Sequence, residues 1–343
     1  MISKLRWRVC RYRLPLTKPL RMMGHTLHER VGLLLQLEDS SGKRAEGEIA
    51  PFPGVHSETL EDCLKQLHAG FAEFKWPQLS PSVRFGLEMA QWSLREQQGQ
   101  ATPAGSLDAV PPLPVNGLLV GTGADLLVEC QRLQAVGFQA VKLKVGRESV
   151  ETDVERVRTV REALGPEVEL RLDANRAWTL EQAQDFAEQI QSVEIAYCEE
   201  PLQRPEDLLT LHENTGLPLA LDESLWTNPE PSTLSLQGVR AVILKPGVLG
   251  GWRATSRWVR WAKKQRIRSV FSSCFESGLG LAWIARMATA LSRMPTPCGL
   301  DTGKWLAQDL VTPSPEMVGG FLRFPEASRL CEEVLELVEE GDG

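Results

Sequence analysis

The chain has 343 residues, 42% apolar and 24% charged, enough to bury the core of about two domains or of one barrel with an appendage. Lys and Arg number 38 against 45 Asp and Glu, a net charge of −7, which argues against the basic surface that nucleic-acid binding requires. The seven cysteines are scattered and form no CxxC pair, so reduced thiols are expected rather than structural zinc or disulfides. No stretch approaches the roughly 20 apolar residues of a membrane span. The opening MISKLRWRVCRYRLPL is broken by charge and lacks the apolar core of a secretory leader, so a cytoplasmic protein is the expectation.

Residues 1 to about 100 read as mixed α+β. Val31–Leu37 suits a strand, Ser40-Ser41-Gly42 a turn, and Ala45–Ile49 the returning strand of a hairpin. Ser57-Glu58-Thr59-Leu60 opens a helix with an apolar stripe of Leu60, Leu64 and Leu67, and Arg84–Gln97 carries a second helical pattern. Gly99–Pro114, rich in Gly, Ala, Ser and Pro, reads as a linker. Beyond it, short apolar runs alternate with helical stretches: Val115–Leu119, Ala140–Val145, Glu169–Asp173, Ile195–Glu199, Leu217–Asp222, Ala241–Lys245, Arg268–Ser272 and Cys298–Asp301. An open doubly wound sheet would also alternate in this way, but eight units closing on themselves suit a (β/α) barrel. The acidic tail from Glu332 to Gly343 is expected to form a solvated terminal helix with a frayed end.

Charges interrupt the apolar runs at regular places. Lys144, Asp173, Glu199, Asp222 and Lys245 each end a run, at spacings of 29, 26, 23 and 23 residues, about one βα unit apiece. Each therefore belongs at the C-terminal end of a successive strand, on one rim of the barrel. A single strand-end Asp commonly caps the following helix, and a single Lys is usually solvated; five in register are not explained in that way. Three converging carboxylates repel one another, and a divalent cation relieves that repulsion. All-oxygen ligation with open positions suits Mg²⁺. A carboxylate substrate chelating such an ion has its α-proton acidified, and a neutral lysine beside it is a suitable base. Asn175 suits a supporting ligand or a cap. Glu200, after Glu199, is expected to point away from the metal, and Glu223, after Asp222, competes with it as a ligand.

These residues resemble the enolase superfamily, in the branch related to muconate-lactonising enzymes. The matching pieces are VKLKVG (Val141–Gly146), LRLDANRAW (Leu170–Trp178), EEPL (Glu199–Leu202), LALDESL (Leu219–Leu225) and VILKPGVLGG (Val242–Gly251). Within that branch, GEIAPFPGVHSETLED (Gly47–Asp62), PVNGLL (Pro114–Leu119), SSCFESGLGLAWIAR (Ser272–Arg286) and GLDTGKW (Gly299–Trp305) resemble the o-succinylbenzoate synthases. That family dehydrates 2-succinyl-6-hydroxy-2,4-cyclohexadiene-1-carboxylate to 2-succinylbenzoate in menaquinone or phylloquinone synthesis.

The resemblance implies an α/β fold: a modified TIM-type (β/α) barrel at 112–310 with an N-terminal α+β capping domain at 1–105. A C-terminal segment at 311–343 would return to the cap, and a lid loop near Arg21–Thr26 would close over the substrate. Asp173, Glu199 and Asp222 would hold Mg²⁺, with Mn²⁺ as a substitute, supported by Asn175 and Glu223. Lys144 would remove the α-proton and then protonate the departing hydroxyl. Lys142, one residue away through Leu143, would favour the neutral form of Lys144, and Lys245 would stabilise the enediolate from the other side. Ser272 and Ser273 would bind the substrate carboxylates. The expected partner is a small-molecule carboxylate, bound by a monomer or small homo-oligomer. The same lysine pair would also serve an N-acylamino acid racemase or dipeptide epimerase with two bases. His25 and His28 are read as lid or surface residues, and Trp252, Trp258 and Trp261 as the packing face of an outer helix.

Overall fold

The computed structural model describes residues 5–68, 78–102, 110–227, 237–292 and 295–342. The boundary near residue 105, and part of the 99–114 linker, lie outside them.

Chain order begins with three strands, β1 (Arg6–Met22), β2 (His25–Glu38) and β3 (Arg44–Ile49), then helices α1 (Leu60–His68) and α2 (Pro81–Gln97). The strands form an antiparallel sheet. One of its faces packs Val9, Leu33, Leu35 and Leu37 against Cys63, Leu67, Val83 and Leu87 of the helices. The other face turns Cys10, Tyr12, Leu14 and Leu34 towards Leu310 and Leu330 of the C-terminal region. Covering on both faces explains why Leu33–Leu37 lacks polar alternation. β1 and β2 join through Met23 and Gly24, at φ 50° and 77°. Two left-handed residues in sequence make the tight turn that matches strand twist. The segment expected as a lid loop over 21–26 is therefore a paired hairpin tip, with Arg21 opposite Thr26. The charge-interrupted N-terminal segment forms the longest strand of the sheet.

Next come β4 (Leu113–Pro114), β5 (Gly117–Leu119), α3 (Gly123–Val136), β6 (Ala140–Lys144), α4 (Val150–Leu164), β7 (Glu169–Asp173), α5 (Leu180–Gln189) and β8 (Tyr197–Glu199). They are followed by α6 (Leu208–Thr215), β9 (Leu219–Leu221), α7 (Glu223–Thr227), β10 (Val239–Leu244), α8 (Pro246–Leu249), α9 (Gly251–Gln265), β11 (Arg268–Phe271) and α10 (Gly278–Leu291). Local chemistry starts and stops these helices. Ser149 accepts from the Thr152 amide at the head of α4, and Thr179 and Gln182 form a reciprocal capping box on α5. Gly137 and Gly216 end α3 and α6 in the left-handed conformation.

β5 to β11 pair in parallel in sequence order. The eighth run expected at 298–301 contributes only Cys298 and Gly299. Cys298 bridges to Val115 and Gly299 to Ser272, so this pair closes the barrel. A side chain at 299 would collide with Ser272, so only glycine lets the two segments approach so closely. Along each strand the side chains alternate. Leu143, Leu172, Cys198, Leu221 and Leu244 face the helices, while Tyr197, Ala220, Ala241, Ile243 and Val270 fill the barrel interior. The charged strand-end residues continue the inward set. Trp252 and Trp258 are buried beneath α9, with the Trp92 ring of α2 tilted against Trp252 at 5.2 Å.

The chain ends with β12 (Val311–Thr312), β13 (Glu316–Val318), β14 (Phe321–Arg323), β15 (Arg329–Leu330) and β16 (Leu335–Asp342). β16 pairs antiparallel with β1, so the C-terminal segment returns to the cap. The expected terminal helix is thus an edge strand. Its acidic residues have basic partners across the ladder, with Arg6 opposite Asp342 and Arg8 opposite Glu340. That complementarity, together with the open edge of β1, outweighs helical preference.

α2 lies so close to β3 that a Cβ on Gly47 would run into the Gly86 carbonyl oxygen. Gly47→Ala should therefore cost about 1–3 kcal/mol of stability, read as a lowered melting temperature. An unchanged melting temperature would show that the close approach is dispensable.

Candidate active site at the barrel rim

Five consecutive strands present one polar group or more at their C-terminal ends. β6 supplies Lys142 and Lys144, β7 Asp173, and β8 Glu199; Asp222 follows β9 and Lys245 follows β10. Lys144 stands opposite Asp173, and Asp173 opposite Glu199, in the ladder register. The three carboxylates are buried, at 1%, 0% and 1% exposure for Asp173, Glu199 and Asp222.

Lysines interleave with them. Lys142 Nζ lies 3.0 Å from Asp173 Oδ2 and 3.1 Å from Glu199 Oε2. Lys144 Nζ donates to Asp173 Oδ2 and to Asn175 Oδ1, both at 2.6 Å. Lys245 Nζ donates to Asp222 Oδ2 at 2.5 Å and sits 4.9 Å above the Trp226 ring. Lys144 and Lys245 thus flank the carboxylate row from opposite ends, with Lys142 below its first half.

Burial and charge work against each other here. Burial pushes the Glu199 carboxyl well above its ordinary range, and the neighbouring Asp173 pushes it further. Burial also raises Asp173, but the Lys142 and Lys144 ammoniums outweigh it and hold that carboxyl below the usual range. Burial disfavours the Lys142 ammonium, yet Asp173 and Glu199 hold it well above the ordinary lysine value. The same opposition, with Asp222 as partner, raises Lys245. Glu223 is pushed up to about 7, first by burial and then by Asp222.

Asn175 ties the row together. Its Nδ2 donates to Glu223 Oε1 at 3.2 Å while its Oδ1 holds Lys144. Glu200 turns away from the row, as its sequence position suggested. Its Oε1 accepts the Asp222 and Ser224 amides at 2.9 and 2.6 Å, and its Oε2 accepts from Arg176 at 3.0 Å. Glu200 therefore fixes the turn that presents Asp222. Its importance was hidden in the Glu199-Glu200 doublet, where only the strand parity separates the two roles. Trp226 was not singled out from sequence either; its contact depends on the turn after β9. Ser272 and Ser273 reach the same rim, but both hydroxyls donate to the Gly299 carbonyl, at 3.3 and 3.2 Å, and so brace the closing segment.

Backbone strain gathers at this rim. Asn175, Arg176, Glu200 and Phe275 all adopt φ between 40° and 61° just beyond strand ends. Such positions cost of order 1–3 kcal/mol each and persist where surrounding contacts over-determine them.

Among the described residues, no group of three or more Asp, Glu, His or Cys side chains is placed so as to hold a metal ion by itself. The carboxylates are instead strung across neighbouring strands with ammoniums between them. The donor set nevertheless fits a hard divalent cation. All its acceptors are carboxylate oxygens on a rigid frame, and the buried Asp222 Oδ1 and Glu223 Oε2 have no hydrogen-bond partner. Those orphaned oxygens mark where positive charge is missing.

Two family models match. Residues 5–94 match the N-terminal domain of MenC, and residues 125–331 match the enolase C-terminal domain-like model. The o-succinylbenzoate synthase of Vibrio cholerae is 34% identical, covering 89% of this chain and 91% of that protein. The chloroplastic protein PHYLLO of Arabidopsis thaliana is 32% identical over 89% of this chain, which spans only 21% of the plant protein. Among solved structures, N-succinyl Arg/Lys racemase from Bacillus cereus superposes with a TM-score of 0.84 at 18% identity, covering 98% of this chain and 100% of that one. MenC from Desulfotalea psychrophila superposes with a TM-score of 0.74 at 24% identity, covering 93% and 99%. At these identities the two structures speak to the fold, a capped barrel of the enolase type; the matches along the sequence speak to the family. No helix among the described residues is long and apolar enough to cross a membrane. The chain belongs to the o-succinylbenzoate synthase family of the enolase superfamily.

Proposed function

We propose that this chain dehydrates 2-succinyl-6-hydroxy-2,4-cyclohexadiene-1-carboxylate to 2-succinylbenzoate, the product for which its bacterial relatives are named, in menaquinone or phylloquinone synthesis. The observation that carries the reading is the placement of Lys144 and Lys245 on opposite flanks of the buried Asp173, Glu199 and Asp222. Asp173, Glu199 and Asp222 are the residues that would hold Mg²⁺, or Mn²⁺ in its place. The bound ion would acidify the substrate's α-proton and stabilise the charge of the enediolate.

Lys144, as the free amine, takes the proton from the ring carbon that bears the carboxylate. Its ammonium then returns that proton to the hydroxyl on the neighbouring carbon. The C–O bond breaks, water leaves, and the ring becomes aromatic with atoms and charge conserved. Lys142, anchored on Asp173 and Glu199, keeps a second positive charge beside Lys144. Lys245, held on Asp222, faces the developing anion from the far side. Asn175 and Glu223 steady Lys144 and the carboxylate row. Ser272 and Ser273 would bind the substrate carboxylates by turning their hydroxyls away from the Gly299 carbonyl. Residues 1–105 serve as cap, 112–310 as the catalytic barrel, and 311–343 as the strap back to the cap.

The symmetrical lysine flanks also suit a two-base racemase of N-acylamino acids or a dipeptide epimerase. A spectrophotometric assay for aromatic product, run with the cyclohexadiene substrate, decides the main reading. An N-acylamino acid in D₂O serves as the counter-test. Product formation without stereochemical inversion is expected, and inversion without product would favour the racemase.

Lys144→Ala should lower kcat by roughly 10³-fold or more, because both proton transfers lose their agent. Stripping divalent ions with a chelator should abolish turnover, and Mg²⁺ or Mn²⁺ should restore it; full activity after stripping would refute the metal assignment. Glu200→Ala should weaken Mg²⁺ binding about tenfold by titration calorimetry, because the turn carrying Asp222 loses its anchor.

A further inference from the structure

A second buried charged network lies between cap and barrel, away from the carboxylate row. Arg30 of β2 is 2% exposed, yet its hydrogen-bond partners are backbone carbonyls. Its Nη2 donates to Ala50 O at 2.9 Å, its Nη1 to Pro51 O at 3.4 Å, and its Nε to Phe275 O at 3.1 Å. The first two are in the cap and the third is in the barrel loop between β11 and α10. The guanidinium also lies 4.9 Å over the Phe52 ring. Burying a cation merely to fill space is costly, and an apolar side chain would do it with less penalty.

Glu48 of β3 reaches across in the same way. It is fully buried and accepts the Ser277 amide at 2.9 Å, the Ser277 hydroxyl at 2.7 Å, the Gly280 amide at 2.9 Å and the Tyr12 hydroxyl at 2.5 Å. A carboxylate from the cap thus closes the N-terminus of a barrel helix.

The loop between these anchors is Ser272–Ser277. Phe275 is held at φ 61°, with its ring between Phe52 at 5.7 Å and Trp305 at 6.1 Å. Glu276 folds back to accept the Cys274 amide at 2.5 Å. Its other oxygen stands 2.8 Å from where a Cβ on Gly247 would lie, against the turn that follows Lys245. The loop therefore carries Ser272 and Ser273 at one end and lies against the Lys245 turn through Glu276 near its other end.

We infer that Arg30 and Glu48 are positioning residues for the reaction: from the cap, they fix the backbone of 272–277 and so set the places of Ser272, Ser273 and Lys245. The inference rests on reading this rim as the dehydratase site. The cap then contributes to turnover through the loop it clamps, besides covering the mouth.

Arg30→Met, Arg30→Lys and Glu48→Gln test it, each assayed well below its melting temperature. Four quantities are read: kcat and KM for dehydration, amide hydrogen exchange across 272–281, and exchange across β6–β8 as internal control. Arg30→Met should raise KM about tenfold or more with a smaller change in kcat, since a displaced loop loosens substrate placement. Exchange at 274–277 should rise while β6–β8 stay protected, and Arg30→Lys should recover part of both. Unchanged loop exchange with unchanged kcat/KM would overturn the inference, as would a loss that only tracks the unfolded fraction. If Arg30→Met does not fold, Arg30→Lys and Glu48→Gln decide by the same measures. If the wild-type chain forms no aromatic product, the dehydratase reading fails, and loop exchange alone decides whether Arg30 and Glu48 hold the loop.

Discussion

Repulsion among three buried carboxylates is the constraint on which the mouth of this barrel is built. Asp173, Glu199 and Asp222 sit at neighbouring strand ends with almost no access to water. At an effective dielectric of about 20, two unit charges 4 Å apart already interact by about 4 kcal/mol. Lys142, Lys144 and Lys245 offset that repulsion within hydrogen-bond reach. Asp222 Oδ1 and Glu223 Oε2 are left without partners, so lysines alone do not complete the arrangement. Those two oxygens are what fits the row to the cation of the proposed function.

Keeping such charges in place requires a frame that does not relax. The parallel barrel provides it through the two-residue alternation of its strands. Tyr197, Ala220, Ala241, Ile243 and Val270 pack the interior beneath the charged layer, and the outward leucines bind the strands to their helices. Local strain at Asn175, Arg176 and Glu200 is held by specific bonds, among them the Glu200 clamp on the Asp222 turn. The cap adds a second layer of control. Its sheet is covered on both faces, by its own helices and by the C-terminal region, so it can press Phe52 and the Met22 end of its hairpin onto Val248 and Cys274 at the mouth.

The charges at regular spacing were legible because strand ends recur once per βα unit and inward residues recur every second position. That arithmetic needs no tertiary information, and Lys144, Asp173, Glu199, Asp222 and Lys245 do stand on one rim. Glu200 was legible only as a negative, a carboxylate facing away; what it clamps depends on where the β9–α7 turn passes. Arg30, Glu48 and Trp226 left no local signal, since their partners lie far off in the chain. Charge density misled at the C-terminus, where a solvated helix was expected. The arginines of β1 and the acids of β16 each look unlike strand sequence alone, yet they complement one another once paired.

Sequence periodicity alone therefore determined the element types of the barrel, its parallel order and the identity of its charged rim, because these follow from repeats of two and of one βα unit. Tertiary structure alone decided how the barrel closes, what the C-terminus pairs with and which buried groups hold the rim loops. Those are matters of contact between distant segments: a two-residue bridge at Cys298–Gly299, an edge strand matched by charge, and a guanidinium spent on carbonyls of two domains. No short-range pattern encodes them, because the groups that meet are set by the path of the whole chain.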